Sequence, residues 1–353
     1  MTKHKAQYTV GSLFAGIGGI CLGFQKAGFE TVWANDFDKK AGVTYKTNFK
    51  HSFIEGDIHK VDPEQLEKVD IITSGFPCQA FSIAGYRKGF RDERGDLFFE
   101  TIRFIDVIKP KAFLLENVKN LTTHDNGNTF KVIKDYILNS GYSFIPKVLN
   151  SKDYGNVPQN RERIYVVGFR GEDSFNSLGE LSGSVCSNNF KFPDAIPSTR
   201  SWVDILDSDV DEKKYSYSKY RDINPSMFNM LSKFMVNEGS VYQWRRMYVR
   251  ENKSNVCPTL TANMGTGGHN VPLIRYSNDI RKLTPRECAR LQGFPDSFIL
   301  PGNVATSQLY KQIGNSVTVP VIERIAERIK IALNAKYAPE TAKTKTEFAT
   351  ARY

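Results

Sequence analysis

Tyr8-Thr9-Val10-Gly11-Ser12-Leu13-Phe14-Ala15-Gly16-Ile17-Gly18-Gly19 is the stretch on which the fold turns. Apolar and β-branched residues run as far as Phe14, where a glycine-rich turn stops them. A helical stretch through Phe24 to Ala27 follows. A strand that ends in glycines and passes straight into a helix is the opening unit of a doubly wound sheet. Working outward, Glu30–Asp36, Val69–Ser74, Ala112–Glu116 and Arg163–Phe169 are short runs, several of them apolar on both faces. That is the pattern of strands buried inside a parallel sheet. The expected fold is therefore α/β, a doubly wound and mostly parallel sheet of the Rossmann-like kind. Character changes after Phe169: residues 171–240 are rich in Ser, Asn, Asp and Gly, and no long helix is evident. An irregular inserted domain is expected there. Val321, Ile322, Ile325, Ile329 and Ala332 then fall at helical spacing after Pro320, so a final helix should pack back on the first domain. The expected divisions are 1–175 for the first part of the α/β domain, 176–303 for the insert, 304–336 for the return and 337–353 for a polar tail.

The chain has 353 residues, 40% of them hydrophobic and 24% charged, enough material for a packed core. No run approaches the roughly 20 apolar residues of a membrane span. A net charge of +10 favours a polyanionic partner. Cys21, Cys78, Cys186, Cys257 and Cys288 form no CxxC pair, and the five histidines form no HxxxH cluster. A metal-free protein of a reducing compartment is expected.

The glycine turn lets backbone approach a ligand at the carboxyl edge of the sheet. Position 21 is Cys21, so the dinucleotide pattern GxGxxG fails. Asp36 follows the second strand, where a carboxylate takes ribose hydroxyls, and Gly56-Asp57-Ile58 supplies a further acid. This order favours an adenosine-containing cofactor without pyrophosphate, a description that S-adenosylmethionine fits. Cys78 lies in Ser74-Gly75-Phe76-Pro77-Cys78-Gln79, directly after a buried strand and in a turn made by glycine and proline. It reads as a nucleophile as well as it reads as a buried thiol. The basic stretch from Ala80 to Gly95 looks like a lid. Glu116 closes an apolar strand, an odd place for a purely structural acid. In Gln159-Asn160-Arg161-Glu162-Arg163 two guanidinium groups lead into a buried strand.

With these motifs in this order, from about residue 8 to 330, the chain closely resembles the DNA (cytosine-5)-methyltransferases, particularly the bacterial restriction–modification type. Arg281-Lys282-Leu283-Thr284-Pro285-Arg286-Glu287-Cys288, Gln292-Gly293-Phe294-Pro295 and Gln312-Ile313-Gly314-Asn315-Ser316-Val317 complete the set. The resemblance implies transfer of a methyl group from S-adenosylmethionine to C5 of a cytosine, leaving S-adenosylhomocysteine and using no metal. It implies Cys78 as the nucleophile at C6, Glu116 at N3 and the exocyclic amine, Arg163 at O2, and Arg161 in support. It places the cofactor against Phe14, Ala15, Gly16, Gly18, Gly19, Asp36, Phe37, Asp57, Ile58, Pro77, Asn315, Ser316 and Val317.

The insert then corresponds to a target-recognition domain for double-stranded DNA. Residues expected to meet DNA are Gln79, Ser82, Arg87, Lys88 and Arg94 in the lid, Arg245, Arg246 and Arg250 in the insert, and Thr259, Thr261, Gly267 and Gly268 in its loops. A cytoplasmic monomer that shields host DNA from a cognate restriction endonuclease is the expected setting. A tRNA cytosine-5 methyltransferase and a non-catalytic DNA-binding regulator on the same fold remain open as alternatives.

Overall fold

A computed structural model describes residues 7–77, 97–171, 190–245, 248–254, 256–266, 270–276 and 279–337. The expected sites at Cys78, Gln79, Ser82, Arg87, Lys88, Arg94, Arg246, Gly267 and Gly268 lie outside the described residues.

Strands β1 (Thr9–Leu13), β2 (Glu30–Asp36), β3 (Ser52–Glu55), β4 (Ile71–Ser74), β5 (Ala112–Val118), β6 (Ile145–Asn150) and β8 (Glu162–Phe169) form one sheet in the order β3-β2-β1-β4-β5-β8-β6. A short strand β7 (Gln159–Asn160) pairs elsewhere, with β11 (Cys257–Pro258). The pairs from β3 to β5 are parallel, whereas β8 runs antiparallel to both β5 and β6. The expected doubly wound sheet is therefore present. Its order reverses between β1 and β4, and ligands of such sheets bind in the crevice at that reversal.

Alternation along the strands sends side chains into two cores. Val10, Ile71, Leu114 and Val167 pack with α1 (Gly19–Lys26) and with α8 (Val319–Tyr337) through Phe24, Val321, Ile322, Ile325 and Ile329. The final helix thus returns to the first domain as its spacing requires. Gly23 permits the close approach, since a methyl group there would stand 2.6 Å from Ile322. On the other face Leu13, Ile72, Phe113, Leu115 and Val166 pack with Phe98, Phe104 and Ile105 of α3 (Leu97–Ile108) and Ile133 and Ile137 of α4 (Asn128–Asn139). Helix α2 (Lys39–Asn48) follows β2 and is capped by Asp38.

The inserted region is more regular than its composition suggests. Strands β9 (Val241–Arg245), β10 (Tyr248–Asn252), β12 (Leu273–Tyr276) and β13 (Asp279–Lys282) form an antiparallel sheet in the order β10-β9-β12-β13. Helix α5 (Pro225–Phe234) covers one face, where Leu231 and Met235 pack with Tyr242, Val249, Leu273 and Ile280. Its opposite face packs toward the first unit, with Val241, Ile274 and Leu283 in one cluster with Leu260, Cys288, Leu291 and Ile313. These strands are only four or five residues long, and their polar residues hide the period that would mark them.

The expected division at 175/176 lies outside the described residues. Phe190 and Phe192 join the cluster of β8 and α8, and Arg324 donates to the Asp194 carbonyl at 2.8 Å. At the other end Asn48 of α2 exchanges two hydrogen bonds with the Ile299 backbone. Helices α6 (Pro285–Leu291) and α7 (Thr306–Asn315) lie between the two units. Among the described residues no helix is long and apolar enough to cross a membrane.

Candidate active site

Three strands meet at the crevice. β1 delivers the glycine turn, β4 delivers Gly75-Phe76-Pro77, and β5 delivers Glu116. A methyl group on Gly75 would stand 3.8 Å from Glu116 Oε2 and 3.9 Å from the Phe14 carbonyl. The chain that leads into Cys78 therefore passes directly over the Glu116 carboxyl group. Asn117 fixes that crossing: its Nδ2 donates to the Phe76 carbonyl at 2.8 Å. The sequence motifs gave Asn117 no task of its own. Its position one residue from an acid in a strand is the signal that could have marked it.

β5 runs on to Val118, so Glu116 sits inside the strand and not at its end. Register places Tyr165 opposite Glu116 and Arg163 opposite Val118, on one face. Arg163 Nε reaches Glu116 Oε1 at 3.2 Å, with the side chains 13% and 12% exposed. Burial pushes the Glu116 pKa up, against the pull of the Arg163 and Arg161 charges. A carboxyl group held this way is inclined to keep a proton and donate it.

Arg161 is buried and stands behind this pair. It donates to the carbonyls of Leu260 (2.6 Å), Ser316 (2.6 Å) and Gly314 (3.3 Å), and its Nε finds no partner among the described residues. Burial and the adjacent Arg163 charge lower its pKa to about 9, so it stays cationic at neutral pH. Its N–H groups tie Leu260 to the end of α7. Gln159, two residues earlier, also holds Leu260: it accepts from Leu260 N and donates to the Leu291 carbonyl and to Gln292 Oε1.

Along the other half of the crevice the backbone is opened for a ligand. Phe14 has φ 53, an unusual conformation for a residue with a side chain, and Gly16 has φ 56 with nothing within 4 Å of where its Cβ would lie. Asp36 is buried; its Oδ2 accepts from Gly16 N at 2.7 Å and its Oδ1 from Asp38 N at 2.8 Å. Burial raises its pKa against those bonds. Phe37 beside it is 70% exposed, an aromatic face left uncovered. Asp57 is exposed and caps a short turn that buries Ile58, and its hydrogen bonds from His59 hold its pKa down. Gly19 packs so closely on Ser316 and Val317 that a Cβ would stand 2.5 and 2.9 Å from them, which brings exposed Asn315 to the same turn. Ala15 is buried and Pro77 exposed at the crevice mouth. Cys21, in the place of a third glycine, is buried and accepts the Tyr45 hydroxyl at 3.1 Å.

Open backbone at Gly16, a buried carboxyl group and an uncovered aromatic ring suit a ribose and an adenine. The residues fit S-adenosylmethionine. Among the described residues no cluster of His, Cys, Asp or Glu is built to hold a metal ion.

Beyond Arg163 lies a polar cleft lined by Val118, Lys119, Asn120, Asn160, Glu162, Arg163 and Thr259. Thr259 Oγ1 donates to the Asn160 carbonyl at 2.7 Å, so the stretch after β11 forms one wall. Thr261 is exposed next to it. The model of the family described as C-5 cytosine-specific DNA methylase matches residues 8–331. The chain belongs to the C-5 cytosine-specific DNA methylases.

Relatives of this methylase agree. M.Bsp6I, a type II methyltransferase of Bacillus sp. (strain RFL6), is 54% identical over 324 residues, covering 91% of this chain and 98% of that protein. M.SsoII of Shigella sonnei is 40% identical over 342 residues, covering 94% and 83%. Among solved structures, a Spodoptera frugiperda DNMT2 mutant superposes with a TM-score of 0.68 at 21% identity, covering 93% of this chain and 100% of that one. The methylase is thus an S-adenosylmethionine-dependent enzyme of the bacterial restriction–modification type that acts on DNA.

Proposed function

We propose that the enzyme extrudes one cytosine from a specific duplex sequence, that Cys78 adds to its C6, and that the products are 5-methylcytosine and S-adenosylhomocysteine. The observation that carries this reading is the largely enclosed Glu116 carboxyl group beneath Gly75, its pKa raised by burial, with Arg163 at 3.2 Å. C5 of cytosine is a poor nucleophile, and C6 is hidden in the stack until the base is flipped out. The Cys78 thiolate forms a bond to C6 while Glu116 donates its proton to N3, so the ring electrons collect at C5. Arg163 sits to hold O2, and Glu116 accepts from the exocyclic amine. S-adenosylmethionine, cradled by Phe14, Gly16, Asp36, Phe37 and the Asn315 turn, supplies the electrophilic methyl group. Water then takes the C5 proton, the C6–sulfur bond breaks, and the N3 proton returns to Glu116.

Duplex DNA carrying 5-fluorocytosine at the target should trap the C6 adduct, because fluorine in place of the C5 proton blocks elimination. A mass equal to protein plus DNA plus one methyl is the expected result, and its absence under turnover conditions defeats the mechanism. The charge of +10 and the cations of the insert support a duplex partner. Pairing with a cognate restriction endonuclease without stable complex, a monomeric state and a cytoplasmic location complete the proposal. Side-by-side methylation of duplex DNA and tRNA tests it against the tRNA alternative.

A further inference from the structure

Chemistry at one base leaves open how a sequence is chosen. In the β9–β10 hairpin Val241 stands opposite Asn252, Gln243 opposite Arg250, and Arg245 opposite Tyr248, so these side chains share one face. Tyr242, Trp244, Val249 and Glu251 make the other face, which is anchored under α5 by Tyr242 and Val249. The first face starts buried against the catalytic unit, where Val241 joins Leu260 and Ile313. Among the described residues β9 pairs with β12 through Val241 and Tyr242, so residues 243–245 extend past β12. The face directed at the catalytic unit thus continues outward with Arg245 and Arg250 exposed and Tyr248 52% exposed. On it Arg245 Nη2 donates to Gln243 Oε1 at 3.0 Å.

We infer that this projecting face enters the major groove and that Arg245, oriented by Gln243, reads a guanine of the target sequence. The inference rests on the DNA reading above. A two-stranded ribbon fits the major groove, and a guanidinium matches O6 and N7 of guanine with two N–H groups at once. That match requires the guanidinium plane to be set. A long exposed arginine samples many rotamers, and an acceptor on the same strand removes most of that freedom. Gln243 uses one N–H of Nη2 and leaves the remaining edge for the base. Arg250, across from Gln243, adds positive charge on the same face. Gln243 is therefore a positioning residue, and its effect is confined to one base pair.

The target of the full chain is first read by bisulfite sequencing of DNA from expressing cells. Purified wild type, Gln243→Leu, Gln243→Glu and Arg245→Ala are then titrated with the target duplex and with duplexes changed one base pair at a time. The wild type should discriminate at one G·C pair by about tenfold to a hundredfold. Gln243→Leu and Arg245→Ala should lose that discrimination and keep it at the other pairs. Gln243→Glu retains the acceptor and should preserve it even as overall affinity falls. Unchanged discrimination in Arg245→Ala, or equal weakening on every duplex, assigns the face to phosphates and overturns the inference. Loss in both Gln243 variants alike overturns the positioning role. Binding needs no turnover, so an inactive variant still reports. A wild type that prefers no duplex sequence at all defeats the proposed function itself, and is told apart in that way.

Discussion

The two sheets present functional groups in opposite ways. In the seven-stranded sheet the crevice residues stand on or beside strands that are largely buried on both faces, and backbone atoms hold them in place: Asn117 on Phe76, Arg161 on three carbonyls, Gly16 on Asp36. In the four-stranded sheet the groups argued to read DNA sit on the part of a hairpin that extends past β12. Reaction geometry tolerates little displacement, whereas a reading surface must be exchangeable between relatives with different targets. The rigid edge and the projecting edge meet at Leu260, which packs in the shared core and is held by both Gln159 and Arg161.

This contrast can be broken by substitution. Cys78→Ser should lower methyl transfer by about four orders of magnitude or more while cofactor affinity changes little; retained turnover would remove the nucleophile from the scheme. Glu116→Gln should slow single-turnover methylation by about a hundredfold to a thousandfold with less than about tenfold change in DNA Kd, and equal losses in both would make it a binding residue only. Arg161→Met should cost about 3–5 kcal/mol in urea unfolding, since three buried carbonyls lose their donor. If it costs nothing, the rigid edge is not held from there. Gly314→Ala, whose Cβ would stand 2.1 Å from the Thr261 carbonyl, should cost about 1–3 kcal/mol in the same assay.

The smallest expected effect concerns pH. Folding raises the Glu116 pKa above 4.5, so the folded state holds a proton that the unfolded chain releases, and stability is lost as pH rises upward from 4.5 through the folded value. The Glu116→Gln variant, with an amide that does not titrate, lacks that loss. Its Tm relative to wild type should therefore climb by about 1–3 °C between pH 4 and pH 7; a flat or falling difference would mean that the carboxyl group is ionised at little cost.

The fold was legible because its signal is local. A glycine turn after an apolar strand, and repeated strands apolar on both faces, admit few architectures. The crevice residues were legible because most are spelled in short runs beside strands: Phe14-Ala15-Gly16 after β1, Asp36-Phe37 at the end of β2, Gly75-Phe76-Pro77 after β4 and Glu116 within β5. The four-stranded sheet was not, since its strands are only four or five residues long and β9 pairs with β12 across a long intervening stretch. The supporting network was hidden for another reason: Gln159 finds Leu291 and Gln292 across 132 and 133 positions, a separation no window of sequence spans. Arg281 and Glu287, quoted within one motif, turn out to be a buried pair that also holds Thr284 and Asp207.

Gly314 lies against the Thr261 carbonyl with no room for a single additional carbon. Anyone grafting a new specificity onto this scaffold must therefore cut outside residues 257–266 and leave that seam with its original helix. A chimera joined within it would have to rebuild a backbone-to-backbone fit that took both segments to make.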